Sequence, residues 1–154
     1  MLRGRFGDTT GRPFIEGHVQ LVRLGVNFNV SFLLDTGADR TLISPVEGMR
    51  MGIDYSRLKP GPLFEGIGGT VKGYEETAIL TFAEAGRFLY SYAFRIGITE
   101  PRKRRRPPHP DDIAALLGRD VLHQWRMSYN HSRKRLNLTV LSYDFRRPVP
   151  RHRG

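Results

Sequence analysis

The chain contains no cysteine among its 154 residues. Disulfides, thiolate nucleophiles, zinc ribbons and iron–sulfur clusters are therefore excluded. It has no apolar run of membrane-span length and no apolar leader pattern near Met1, so a soluble cytoplasmic protein is the expectation. No long stretch keeps a helical period, and strand signals dominate. There is no Gly-x-Ser-x-Gly elbow. Acidic residues are scarce: 15 against 25 Lys and Arg, a formal net charge of +10.

The cationic excess is concentrated in "RKRRR" (102–106), "RKR" (133–135) and the closing "FRRPVPRHRG". Basic blocks can track phosphates or acidic surfaces. The plainer reading is a solvated loop and tails, and it is the one adopted. Residues 1–11 are basic and Gly-rich and read as a flexible arm. Residues 144–154 read as a basic tail. Between them, 12–143 reads as one domain, and the chain's apolar content (39%) is enough for a modest core.

Within that domain, residues 14–24 and 26–35 alternate apolar and polar, with a turn at Gly25 near Asn27. The second of these ends in a wholly apolar run, Phe32-Leu33-Leu34. Residues 39–44 read as a short strand. Residues 45–62 read as a Gly- and Pro-punctuated connection with room for a helical turn. Residues 70–98 read as two or three strands turning at Glu84-Ala85-Gly86. The loop 101–110, "PRKRRRPPHP", excludes regular structure. Arg119 to Arg126 fits the one short helix, and a hairpin follows around "HSRK".

Three features carry chemistry. Asp35-Thr36-Gly37 follows the apolar run directly. A turn aspartate is the ordinary explanation of such a residue, yet a buried strand is a poor place to deliver a charge, and a buried threonine hydroxyl demands a partner. Second, Gly66, Gly68 and Gly69 surround Ile67 between strand-like segments. No lysine follows at P-loop spacing, so a hairpin tip is favoured over a phosphate cradle. Third, Leu116-Leu117-Gly118-Arg119-Asp120 runs from an apolar stretch into the helix.

In this order, Leu33-Leu34-Asp35-Thr36-Gly37-Ala38-Asp39, Gly66-Ile67-Gly68-Gly69 and Leu116-Leu117-Gly118-Arg119-Asp120 resemble the retroviral-type aspartic proteases, the retropepsins, over roughly residues 12 to 130. The resemblance implies an all-β, half-barrel fold with a flap hairpin and one short helix. It implies an aspartic endopeptidase, needing no cofactor or metal, that acts on a peptide or protein substrate. Only one Asp-Thr-Gly is present, and the chain is too short for two lobes. A C2 homodimer would instead bring two Asp35 carboxylates to the axis, where they share a proton and activate water.

By the same resemblance, Asp35, Thr36 and Gly37 are catalytic. Thr36 would grip its counterpart across the dimer, and Gly37 would offer its carbonyl to substrate. Asp39 would touch substrate main chain and pair with Arg119. Gly66, Ile67 and Gly68 would form the flap tip. Ala38 and Arg40 would contact substrate, with Arg40 favouring acidic side chains. Leu33, Leu42, Ile67 and Leu116 are candidate pocket walls, and plain core is the competing reading for them. Gly118, Arg119 and Asp120 would support the site. Two other readings stand beside this one: a catalytically silent dimerising or peptide-binding module, and a basic nucleic-acid-associated protein. The second expects aromatics interleaved with Arg on one surface. Tyr90, Tyr92 and Phe94 have only Arg87 and Arg95 near them, so neither nucleic acid nor a membrane is an expected partner.

Overall fold

The computed structural model describes residues 1–66, 69–101 and 113–150. In chain order the elements are β1 (Leu2–Arg3), β2 (Arg5–Phe6), β3 (Pro13–Leu21), β4 (Val26–Leu34), β5 (Leu42–Ile43), α1 (Pro45–Arg50), β6 (Lys59–Pro60), β7 (Phe64–Gly66), β8 (Gly69–Val71), β9 (Gly73–Glu84), β10 (Phe88–Thr99), β11 (Ala115–Leu117), α2 (Arg119–Leu122), β12 (Trp125–Asn130), β13 (Arg135–Val140) and β14 (Phe145–Pro148). The fold is mostly β, as expected.

The main sheet closes on itself. From β10 the pairing passes through β5, β11, β4, β3 and β9 and returns to β10. Most neighbours are antiparallel, but β11 runs parallel to β4, and β5 parallel to β10. The parallel β4–β11 pair sets the ends of two buried strands side by side, and the chemistry-bearing segments leave from there.

Alternation explains the interior. Val30, Phe32 and Leu34 point inward with Val19 and Leu21 of β3. Phe32, Phe82, Tyr92 and Trp125 form the aromatic centre, with Phe82 meeting Trp125 edge-on at 4.8 Å. Gly17 makes room for it, since a Cβ there would sit 2.7 Å from the Phe82 ring. The turns at Gly25 and Gly86 use φ of 66° and 70°, a region glycine enters without strain. The run Phe32-Leu33-Leu34 is not buried on both faces. Leu33 stands half-buried on the side opposite Phe32, in register with Leu116.

Several expectations need correction. Residues 1–11 are not a loose arm. β1 pairs with β13, β2 pairs with β3, and Leu2 is fully buried. Phe6 packs edge-on against Tyr129 at 5.0 Å and His131 at 4.9 Å. Two apolar side chains suffice to tie down a segment whose composition reads as linker. The tail does not start at 144 either. Asp144 accepts a bond from the Ala93 amide at 2.7 Å, and β14 pairs with β10. The helix expected over 119–126 stops at Leu122, because Trp125 turns into β12 to reach the core. A second helix, α1, lies in the connection 45–62. Ser44 caps it by accepting from the Glu47 amide at 3.2 Å, and Pro45 opens it. Arg102 to Pro110 of the expected basic loop, and Arg151 to Gly154 of the tail, lie outside the described residues. Among the described residues no helix is long and apolar enough to cross a membrane.

Candidate active site

β4 delivers Asp35 to its end. The Asp35 amide donates to the Leu117 carbonyl at 3.1 Å, continuing the parallel ladder for one residue. The chain then turns. The Gly37 amide donates to Asp35 Oδ1 at 2.9 Å, and the Ala38 amide to the Asp35 carbonyl at 3.2 Å. Aspartate favours such turns because its carboxylate takes the amide two residues on. Asp35 is half-buried, while Thr36 and Gly37 are exposed. Burial of the Thr36 hydroxyl is therefore not met within one chain: the residue sits at the tip of a loop leaving the barrel.

α2 clamps that loop. The Arg119 amide donates to the Ala38 carbonyl at 2.9 Å, and Arg119 Nη1 to the Thr36 carbonyl at 2.7 Å. Arg119 Nη2 closes the bracket on Asp39 Oδ1. A planar fork with fixed donors suits two acceptors at once. Gly118 lies so close to the Arg40 backbone that any Cβ would overlap it. Gly118, Arg119 and Asp120 all meet the loop.

Thr41 was not singled out in the sequence, yet it joins these parts. It is fully buried. Its hydroxyl donates to Asp120 Oδ1 at 2.7 Å and accepts from the Gly118 amide at 3.2 Å. Its own amide donates to Asp120 Oδ2 at 2.7 Å. Asp120 thus holds both the loop and the start of α2, whose Val121 amide it accepts at 2.9 Å. Nothing in the segment "DRTLIS" distinguishes this threonine from an ordinary strand residue.

Beside the loop lies a cleft of about 430 Å³. Gly37, Ala38, Asp39 and Arg40 form one side, Leu42 and Leu116 another, and Pro62 to Glu65 the third. Leu33 is next to Leu116 in register but does not line it. Phe64 rests on two glycines: a Cβ at Gly97 would lie 2.6 Å from its ring, and one at Gly73 would overlap it. β7 and β8 form a hairpin above, with Gly66 opposite Gly69. Ile67 and Gly68, the expected tip, lie outside the described residues.

Arg40 is not a free cation. Its Nη1 bonds Glu75 Oε1 at 2.5 Å, and Arg95 stands 3.6 Å from Glu75 Oε2. Glu75 went unnoticed in the sequence because it sits in an acidic pair; its neighbour Glu76 is buried and binds Arg23. Among the described residues no three His, Asp or Glu side chains gather to hold a metal.

Comparison with known proteins adds the following. A family model described as Retroviral aspartyl protease matches residues 11–130. A retropepsin-like aspartic protease from Rickettsia conorii superposes with a TM-score of 0.59 at 15% identity, covering 97% of this chain and 92% of that one. EIAV protease, solved with the inhibitor HBY-793, gives a TM-score of 0.49 at 21% identity, over 76% of this chain and 90% of that one. The retroviral protease-like domain of Ddi1 from Leishmania major gives 0.45 at 12% identity, over 86% and 98%. No curated protein matches significantly.

Proposed function

Starting from the fact that the chain belongs to the retroviral aspartyl protease family, we propose that it is an aspartic endopeptidase that works as a C2 homodimer. The observation that carries this reading is the setting of Asp35. Its carboxylate stands half-exposed at the end of a buried strand, on a loop bracketed by Arg119, and one of its oxygens takes the Gly37 amide. A single carboxylate cannot act as both base and acid, so a second copy supplies the other.

In the dimer, two Asp35 carboxylates share one proton, because like charges so close do not both ionise readily. One takes a proton from water as the water attacks the scissile carbonyl. The protonated partner donates to the carbonyl oxygen. Thr36, exposed in one chain, bonds its counterpart beneath the pair. The β7–β8 hairpin acts as the flap, closing over an extended peptide that lies in the cleft and excludes bulk water. The exposed Asp39 carboxylate and the Gly37 carbonyl meet substrate main chain. Among the described residues no strand pairs with the outer edge of β12, and that strand, which carries the exposed Met127 and Tyr129, supplies dimer surface.

The test is cleavage of a peptide library at mildly acidic and neutral pH, with and without an aspartic-protease inhibitor, beside Asp35→Asn. Cleavage abolished by both the inhibitor and the substitution supports the reading. Cleavage that persists in Asp35→Asn sinks it.

A further inference from the structure

Arginines in this chain differ in their partners. Arg5, Arg23, Arg40, Arg50, Arg87, Arg95 and Arg119 each stand within 4.0 Å of a carboxylate. On the three-stranded sheet β1–β13–β12 the pattern is different. No Asp or Glu occurs between Asp120 and Asp144. Arg3, Arg126 and Arg135 are exposed, and among the described residues no carboxylate pairs with any of them.

Register puts these cations on one face. Arg126 is opposite Thr139, Ser128 opposite Asn137, Asn130 opposite Arg135, and Arg3 opposite Asn137 on the other side. Residues directly opposite in an antiparallel pair share a face, and those two apart on a strand share it too. The inner face carries Leu2, Leu138, Leu136 and Trp125, all buried. The outer face is then Arg3, Arg126, Arg135, Ser128, Asn130, Asn137 and Thr139, with no acid and no apolar side chain among these paired residues; Met1, exposed beside Arg3, borders it. A groove of about 380 Å³ follows its edge, lined by Arg3, Lys134, Arg135 and Asn137 among others.

We propose that this face binds the phosphodiester backbone of a nucleic-acid duplex without reading its sequence. The core of a protein–protein interface is typically depleted in charge and more apolar, whereas the middle of this face is charged and polar. Contacts to phosphate need Arg forks interspersed with hydroxyl and amide donors, which is its whole content. Flat polar strands without an aromatic platform offer no base stacking, so a duplex is favoured over a single strand. The missing aromatic interleaving that set nucleic acid aside in the sequence is a requirement of stacking, not of backbone contact. The proposal is independent of peptidase activity.

The probe is a fluorescently labelled DNA duplex of mixed sequence, titrated with the full chain and followed by anisotropy. Binding is expected at low salt, with a log–log salt slope of about −2 to −3 for roughly three phosphate contacts. Arg126→Gln/Arg135→Gln should weaken binding by at least about tenfold. Arg146→Gln/Arg147→Gln removes the same charge from β14 and should leave affinity nearly unchanged. Circular dichroism verifies that both variants are folded. No binding at low salt, equal weakening by the two variants, or competition by polyglutamate as strong as by unlabelled duplex would each overturn the proposal.

Discussion

Arg119, at the start of α2, holds Asp39 with one nitrogen and the Thr36 carbonyl, 2.7 Å away, with another. Two residues on either side of Gly37 and Ala38 are thereby fixed by one planar group. The loop that carries Asp35 is exposed, so its shape depends on this bracket more than on burial.

Arg119→Lys keeps the charge and loses the fork. Activity on a peptide substrate is expected to fall by at least about tenfold, mainly in kcat, with little change in thermal midpoint because the pair is solvent-exposed. Steady-state kinetics with a melting curve checks it. An equal loss in stability would mean that the arginine holds the fold and not the loop.

Gly118→Ala forces a methyl group into the Arg40 backbone, which cannot move aside as a side chain would. A loss of about 2–4 kcal/mol is expected in denaturant unfolding. Thr41→Val should add a smaller loss, about 1–3 kcal/mol, by leaving Asp120 without its hydroxyl donor.

Glu75 partly offsets the charge of Arg40 on one wall of the cleft, with Arg95 sharing the same carboxylate. Glu75→Gln releases Arg40, and cleavage preference is expected to move toward peptides with acidic side chains. Arg40→Leu should move it toward apolar ones. Profiling of a peptide library by mass spectrometry reads both. Unaltered profiles would place the pair outside substrate reach.

Burial pushes the Tyr92 hydroxyl up to about 12. Nearby Asp144 and Tyr90 add to this, and the bond from Trp125 opposes it. The folded state holds this proton more tightly than the unfolded chain, whose tyrosines titrate near about 10. Stability from Tyr92 is thus complete below about pH 10 and lost as pH rises toward about 12. Urea unfolding from pH 8.5 to 11.5 should fall more steeply for the wild type than for Tyr92→Phe, which has no proton to lose. Tyr92→Phe should start lower, having lost the Trp125 and Ser142 bonds of 2.7 and 2.9 Å.

Legibility in the sequence followed distance along the chain. Asp35-Thr36-Gly37 and Gly118-Arg119-Asp120 could be read because each motif is contiguous. The alternation of 14–34 exposed β3 and β4 directly. Leu2 and Phe6 could not be read, because a two-residue strand has no period and the partner of β1 lies near the other end of the chain. Distance along the chain hid Thr41 as well, and it hid Glu75 in addition to the acidic pair in which that residue sits. Their partners, Asp120 and Arg40, are 79 and 35 residues away, and only the fold brings them together. α2 was overestimated because Trp125 is claimed by the core, a tertiary demand that outweighs local preference.

The central claim is that one active site needs an Asp35 from each of two chains. Mixing wild type with Asp35→Asn tests it most directly, once energy transfer between labelled protomers shows that subunits have exchanged. With the wild-type amount held constant and the variant in about ninefold excess, random pairing leaves about one tenth of the original activity. That fall is the expected result. Activity undiminished by the exchanged variant would contradict the account.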